Sequence, residues 1–372
     1  MKYYHYIIAF TLFATATLAH AQKITMGSCV TRDGGMYQGE MVAGKPHGKG
    51  KTTWADGDKY EGEYVKGKRQ GYGVFSFADG RRYEGQWMQD QQHGKGTYYF
   101  LNNNQYVGLW YRDKQQGHGV MKYYNGDVYD GNWVDDKRQG KGRYTFASGA
   151  FYEGDWKDDK KSGRGHYEWG DGSVYDGQWH NNLRNGKGTY TYPSGDTYDG
   201  QWQNDLLHGR GIYKFKNGDI YNGEYYNGQR SGKGLCRYAN GDRYNGNWEN
   251  GDKHGHGTFI WSNGDRYEGY WVKDKPNGKG KLVSRQGDVV EGSFKEGQLN
   301  GECTGHLKDG SKFKANYRNG QRHGLAIEID KDGKRFEGTY TDGKRDGKFV
   351  EKDRNGKVVA QGTYTRGHRN KG

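Results

Sequence analysis

The sequence predicts an all-β fold: an elongated, solenoid-like antiparallel sheet built from stacked β-hairpins of 23 residues each. Two observations carry this prediction. A tyrosine recurs every 23 residues from Tyr37 to Tyr267, and each is followed two positions later by glycine. Within a unit the recurring residues occupy every second position, which suits strands and excludes a helical stripe. The period continues in weakened form from Val290, Phe313 and Phe336, which makes 14 units in all.

Each unit is predicted to be two short strands whose buried face alternates aromatic rings with glycine. Glycine has no side chain, so a ring on one strand can lie over the bare backbone of its neighbour. The opposite face carries residues such as Lys95 and Thr97 and should meet water. Asn-Gly and Asp-Gly pairs, which favour hairpin turns, separate the strands. The expected core residues of three units are Tyr83, Gly85, Trp87, Gly94, Gly96, Tyr129, Gly131, Trp133, Tyr198, Gly200 and Trp202.

Composition agrees with an ordered protein that has an aromatic core. Glycine supplies 66 of the 372 residues, and aromatic residues make up 15% of the chain, whereas disordered chains are poor in aromatics. Only three prolines argue against a collagen-like or proline-rich chain. A unit of two strands advances about 10 Å, so the repeats predict a rod on the order of 130 Å.

The unit resembles the MORN repeat (membrane occupation and recognition nexus). The resemblance is carried by Tyr-Glu-Gly-x-Trp, a turn, Gly-Lys-Gly and then Asp-Gly-Asp, over about residues 35–347. It implies a twisted sheet of antiparallel hairpins, with roles in protein assembly and in binding acidic lipids. The last three units depart from the pattern, because Cys303, Ala326 and Phe349 replace the second glycine. Such a departure is expected of a terminal cap.

The first 21 residues are predicted to be a secretory signal. An apolar stretch from Tyr6 to Leu18 follows a positive start, and small residues precede the expected cut before Gln22. The stretch is too short for a spanning helix, which needs about 20 apolar residues. A lipid anchor on Cys29 is the weaker alternative. We therefore expect an exported protein of bacterial type, periplasmic, in the cell envelope or secreted, with no transmembrane segment after cleavage.

The expected organisation has four parts. They are a signal peptide at 1–21, a lead-in at 22–36, regular repeats at 37–289, and divergent repeats with a basic cap at 290–372. Cys236 and Cys303 lie almost three units apart, so no disulfide is predicted between them.

Several patterns that suggest chemistry fit turns better. Histidines at one turn position lie at least one unit apart, about 10 Å, so two of them cannot share a zinc ion. The Asp-Gly-Asp turns lack calcium-loop spacing, and Gly50-Lys51-Thr52 lacks the first glycine of a phosphate loop. We therefore expect no metal, no cofactor and no enzyme activity. The histidines are His47, His93, His208, His254 and His323.

Positive charge concentrates at the end of the chain. The formal net charge is +13, and residues 311–372 hold 16 basic and 8 acidic side chains. This end is either a solubilising cap or a contact for an anionic surface. Under the second interpretation the binding residues are Lys312, Lys314, Arg318, Arg322, Lys344, Arg345, Lys348 and Lys352.

Two functions remain open from the sequence. The first is a non-catalytic scaffold for protein binding or assembly, whose partner is another protein or a second copy of the chain. The second is a binder of anionic lipid or acidic glycan, through the basic end and exposed rings such as Tyr99 and Tyr123. We expect no nucleic-acid partner for an exported chain. A hydrolase is disfavoured because no catalytic constellation stands out from the repeats.

Overall fold

The computed structural model describes residues 23–370, and these residues form strands and turns without a helix. The predicted signal peptide therefore lies outside the described residues. Across the described range, no helix is available with the length and apolar character needed to cross a membrane. The chain divides into two compact units, one ending at Gln139 and one beginning at Gly140.

The first unit is a ladder of antiparallel strands in which each strand pairs with the next one along the chain. Its strands are β1 (Thr25–Val30), β2 (Met36–Val42), β3 (Lys45–Thr53), β4 (Lys59–Val65), β5 (Lys68–Ser76), β6 (Arg82–Met88), β7 (Gln91–Tyr99), β8 (Gln105–Tyr111), β9 (Lys114–Lys122) and β10 (Val128–Val134).

The second unit repeats this arrangement. The boundary falls within β11 (Lys137–Thr145). The remaining strands are β12 (Phe151–Lys157), β13 (Lys160–Glu168), β14 (Val174–His180), β15 (Leu183–Thr191), β16 (Thr197–Gln203), β17 (Leu206–Lys214), β18 (Ile220–Tyr226), β19 (Gln229–Arg237), β20 (Arg243–Glu249), β21 (Asp252–Ile260), β22 (Arg266–Val272), β23 (Lys275–Val283), β24 (Val289–Lys295), β25 (Gln298–His306), β26 (Lys312–Arg318), β27 (Gln321–Ile329), β28 (Arg335–Thr341), β29 (Lys344–Lys352), β30 (Val358–Thr365) and β31 (His368–Arg369). The predicted all-β fold of antiparallel hairpin repeats is confirmed.

The core of each repeat is built from tyrosine and tryptophan rings. Tyr83 is fully buried, and its hydroxyl donates to the Gln86 carbonyl at 2.9 Å. The Trp87 Nε1–H donates to the Gly73 carbonyl at 3.2 Å. The Tyr83 ring meets Trp87 edge to face at 5.2 Å and the Trp110 ring of the next repeat at 5.4 Å. Each ring is therefore held by a backbone hydrogen bond and by rings on both sides. The pairs Tyr129–Trp133 and Tyr198–Trp202 have the same edge-to-face geometry.

The glycines that alternate with these rings have two different functions. Gly85 lies directly opposite Gly96, and a Cβ added to either would lie within 3.0 Å of the Tyr83 side chain. Gly94 instead has φ +61° and forms part of a bulge, where the register shifts between Gly85 and Trp87. We had expected Gly94 to share the ring-covered face. It does not, because the bulge turns the backbone at that point. Gly131 and Gly200 lie opposite Gly119 and Gly211, in the row that includes Gly85.

The last repeats close the core with side chains instead of glycine. Phe349 occupies a glycine position, and its ring packs 6.0 Å from Phe336 and 4.7 Å from Tyr364. Ala315 and Ala326, also at glycine positions, join the same buried cluster. The side chains that replace glycine therefore give this end of the second unit its own small core.

Candidate functional site

A basic residue nine positions after the unit tyrosine packs against the core rings in several repeats. The guanidinium carbon of Arg184 lies 4.3 Å from the Trp202 ring centroid, and its Nε lies 3.0 Å from the Asp205 carboxylate. Arg69 makes the same two contacts with Trp87 and Asp90. This pairing was not predicted from the sequence. Its signal is a basic residue followed 21 positions later by an aspartate.

Lys161 occupies the same position without an acidic partner. Its Nζ lies 4.4 Å from the ring centroids of both Tyr167 and Trp179. Asn182 stands where the next repeat has Asp205, and its Oδ1 accepts a hydrogen bond from the Lys161 backbone N–H. Burial lowers the pKa of Lys161 to about 8. The unfolded chain, with an ordinary lysine pKa, binds more protons above that pH, so stability rises from about pH 8 to about pH 10.

Asn182→Asp is expected to stabilise the protein at pH 7, because the carboxylate would pair with the Lys161 ammonium as Asp205 pairs with Arg184. The pKa of Lys161 would rise, so the variant should lose the alkaline gain in stability. Thermal unfolding at pH 7 and at pH 9.5 measures both effects. The variant should melt higher at pH 7, and the difference from the wild type should shrink at pH 9.5. Equal melting temperatures at both pH values would contradict this interpretation.

Turn aspartates hold neighbouring hairpins together, and one of the predicted histidines does the same. The Asp219 carboxylate accepts from the Ala239 backbone N–H at 2.7 Å, and Asp242 accepts from Ser262 at 2.8 Å, one repeat further along. His323 Nδ1 accepts from the Asp342 backbone N–H at 3.4 Å. Among residues 23–370, no three His, Cys, Asp or Glu side chains are grouped so that they could hold a metal ion. The repeated Asp-Gly-Asp pattern therefore has a structural use between turns.

The cysteines are free thiols in the described structure. Cys236 and Cys303 are buried, and burial raises the pKa of both. Cys29 is half-buried on β1. A buried thiol with a raised pKa is a poor nucleophile, so Cys236 and Cys303 act as core residues.

The outer face of the sheet, opposite the aromatic core, carries a groove of about 570 Å³ in the first unit, and Lys95 and Thr97 of β7 lie between its two walls. One wall is polar: the Tyr72 hydroxyl donates to Glu84 at 2.7 Å, which raises the pKa of Tyr72. Tyr99 completes this wall. Val107 and Leu109 form the opposite wall and are 43% and 39% exposed. The backbone of Gly85, Gly96 and Gly108 also lines the groove.

The equivalent groove of the second unit lies eight repeats further along and is polar. Glu291 and Ser293 stand where the first unit has Val107 and Leu109. The carboxylate of Glu291 is 2.6 Å from the Lys281 ammonium. The outer surface therefore differs from repeat to repeat. Val107 and Leu109 were the missed signal, because they are apolar at outward positions where other repeats are mostly polar.

Of the two rings expected to be exposed, only Tyr99 is, at 36%. Tyr123 is half-buried, and the adjacent Tyr124 is 74% exposed instead. The strand ends at Lys122, so the next two residues do not follow the strand alternation used in the prediction.

Most of the predicted anion-binding cations near the end of the chain are already in ion pairs. Glu328 accepts from both Arg322 and Arg345, and Arg345 also lies over the Phe336 ring at 3.7 Å. Lys312, Lys344 and Lys348 are exposed and make no ion pair within the described chain. The remaining pairs are Lys314–Glu302 at 3.0 Å, Arg318–Asp342 at 2.9 Å and Lys352–Glu337 at 2.9 Å.

A different group of cations on the outer face has no acidic partner. We call Lys214, Lys233, Arg237 and Arg243 the cationic patch; all four are exposed and form no ion pair among residues 23–370. Arg237 lies directly opposite Arg243 on the neighbouring strand. Like charges at such positions destabilise a sheet. Other cations on this face do meet an acid on the neighbouring strand, as Lys281 meets Glu291 at 2.6 Å.

The fold and these faces define a β-hairpin repeat protein whose outer surface varies along the chain. The MORN repeat family matches 14 successive segments, so the chain belongs to that family. The segments are residues 37–59, 60–81, 83–105, 106–128, 129–151, 152–174, 175–197, 198–220, 221–243, 244–266, 267–289, 291–312, 313–335 and 336–358. No curated protein matches the chain.

Solved structures resemble the chain only weakly. The TCP10 domain of Danio rerio CPAP, in complex with a STIL peptide, is 13% identical over 73% of this chain and 100% of that one, with a TM-score of 0.26. The TCP domain of Drosophila melanogaster SAS-4, in complex with a proline-rich motif of Ana2, is 13% identical over 46% and 87%, with a TM-score of 0.28. Virginiamycin B lyase from Staphylococcus aureus is 9% identical over 83% and 96%, with a TM-score of 0.13. At these TM-scores the resemblance carries no argument about function.

Proposed function

We propose that this MORN repeat protein is a non-catalytic scaffold that binds other proteins in the cell envelope or outside the cell. The outer-face groove of the first unit carries the proposal. Val107, Leu109 and Tyr72 expose apolar surface there, and exposed apolar patches on soluble proteins commonly mark interaction sites. A groove of about 570 Å³ is large enough for one or two bulky side chains of a partner.

The expected ligand is a protein segment that presents aromatic or aliphatic side chains to Val107 and Leu109. A basic or hydroxyl group on the segment would suit the opposite wall. The Glu84 carboxylate in that wall already forms an ion pair with the Arg82 guanidinium at 2.7 Å. The polar equivalent in the second unit should not bind this segment, because Glu291 and Ser293 replace the apolar wall.

Leu109→Glu is expected to weaken such binding about tenfold or more, because the substitution places a charge in the apolar wall. Peptides selected from a displayed library against the purified protein provide the ligand, and fluorescence anisotropy measures the affinity. Ser293→Glu, at the matched position of the second unit, is the control and should leave the affinity unchanged. The proposal fails if the selected peptides bind Leu109→Glu as tightly as the wild type.

A second candidate function is the binding of an anionic lipid or acidic glycan surface by the cationic patch. The opposed, unpaired Arg237 and Arg243 favour it, because an anionic ligand would relieve their repulsion. Binding to anionic vesicles or to an acidic polysaccharide should fall steeply with salt and be lost in Arg237→Glu/Arg243→Glu. The same loss in Lys344→Glu/Lys348→Glu alone would instead assign the contact to the basic end of the chain.

A further inference from the structure

The first strand of the ladder has an open, uncharged edge. β1 (Thr25–Val30) pairs with β2 on one side, and no other strand of residues 23–370 pairs with it. Its sequence, TMGSCV, contains no charged residue and no proline. Met26 and Val30 are 76% and 64% exposed. Long apolar edges of this kind associate with other strands unless charge, proline or cover protects them.

The backbone groups on this open edge follow from the hairpin geometry. The Thr31 N–H donates to the Gly35 carbonyl at 2.8 Å, so these two residues form a hydrogen-bonded pair. In an antiparallel ladder such pairs alternate with pairs that do not bond to each other. Met26, Ser28 and Val30 therefore direct their N–H and C=O groups away from β2, and those groups need a partner strand or water.

The last strands of the second unit are protected only in part. β31 has only two residues, His368 and Arg369, and Arg366 precedes it. Short strands and basic residues discourage edge-to-edge pairing. β31 pairs with β30 only at Tyr364 and Thr365, so Val358 and Val359, 48% and 61% exposed, lie beside a second open edge. β1 differs because its residue pattern is complementary to itself when two copies pair antiparallel.

We propose that β1 pairs antiparallel with β1 of a second copy of this chain, with Ser28 opposite Ser28 across a two-fold axis. In this register Met26 faces Val30 of the second copy on the outer face, so the exposed apolar side chains cover each other. On the core face Gly27 lies opposite Cys29 of the second copy, which repeats the placement of a side chain over glycine. The pattern is self-complementary, as a two-fold interface requires.

The three bonded pairs in this register would form about six backbone hydrogen bonds. Every free group of Met26, Ser28 and Val30 would then be satisfied. A second copy fits better than a charged or proline-rich strand because no charge on β1 would pair with it. The surface is separate from the groove proposed above for other proteins.

Charge substitutions on the outer face test the register directly. Sedimentation velocity of the purified chain at increasing concentration should give twice the mass of one chain. Met26→Lys/Val30→Lys places lysine opposite lysine at both ends of the pairing and should raise the dissociation constant about tenfold or more. Met26→Lys/Val30→Glu places lysine opposite glutamate in the same register and should restore association. Both variants alter exposed side chains, and circular dichroism should show an unchanged strand signal.

Three outcomes would overturn the proposal. The first is a wild type that remains monomeric at about 100 μM, a concentration far above the dissociation constants of specific interfaces. The second is equal association of the two double variants. The third is a monomer whose Ser28 amide exchanges slowly, which would show that residues before Lys23 cover the edge. Leu109→Glu should not change the association, so failure of the groove proposal would be distinguishable.

Discussion

Trp202→Ala is expected to lower the free energy of unfolding by about 4 kcal/mol, within the range for removing a buried aromatic ring. The Trp202 ring meets Tyr198 edge to face at 5.2 Å and Tyr175 at 5.5 Å. Its Nε1–H donates to the Gly188 carbonyl at 3.0 Å, and the Arg184 guanidinium packs 4.3 Å from it. Removing the ring therefore leaves a cavity, takes one hydrogen bond from the Gly188 carbonyl and removes the shortest aromatic contact of Arg184.

Trp202→Tyr is the matched control, because the chain itself uses Tyr225 at the same position of the next repeat. Tyr225 is buried and meets Tyr198 edge to face at 5.3 Å. The control should cost about 1–2 kcal/mol, since most of the volume is kept. Urea unfolding followed by circular dichroism measures both variants. Equal losses in the two would mean that the ring volume is not what stabilises the repeat.

The period of the sequence predicted the ladder and its core correctly because one physical constraint acts on every repeat. The Tyr83 ring lies over the bare backbone of Gly85 and Gly96, so in the regular repeats the tyrosine and these glycines recur together. The pattern could not separate two uses of glycine. Gly94 has the same spacing as Gly96, yet its role is a positive φ in a bulge, and spacing alone carries no information about φ.

The outer face was harder to predict, because its properties come from departures from the repeat and not from the repeat itself. Val107 and Leu109 create the groove at positions where the polar pattern lapses. Charge counting along the chain identified the basic end, but Glu328 binds two of its arginines from neighbouring strands. The cationic patch was not predicted for the same reason: Arg237 and Arg243 differ from other surface cations only because they lie opposite each other.

Gly188→Ala is expected to cost about 2–3 kcal/mol, an effect of overpacking and not of lost contacts. Gly188 lies opposite Gly177 on one neighbouring strand and Gly200 on the other. An added Cβ would lie within 3.0 Å of the Tyr175 ring, which is fully buried and bonded through its hydroxyl to the Gln178 carbonyl. The ring cannot move aside without breaking that bond.

Gly170→Ala, in the preceding repeat, provides the control. Gly170 lies in a turn, does not have a positive φ, and has no atom within 4 Å of an added Cβ. Alanine there should be neutral or stabilise by about 0.4–1 kcal/mol, because it restricts the unfolded chain. Urea unfolding of the two variants therefore separates steric exclusion under the ring from a general effect of losing glycine. If Gly188→Ala were as stable as Gly170→Ala, the rings would not depend on bare backbone, and the account of why glycine and tyrosine recur together would be wrong.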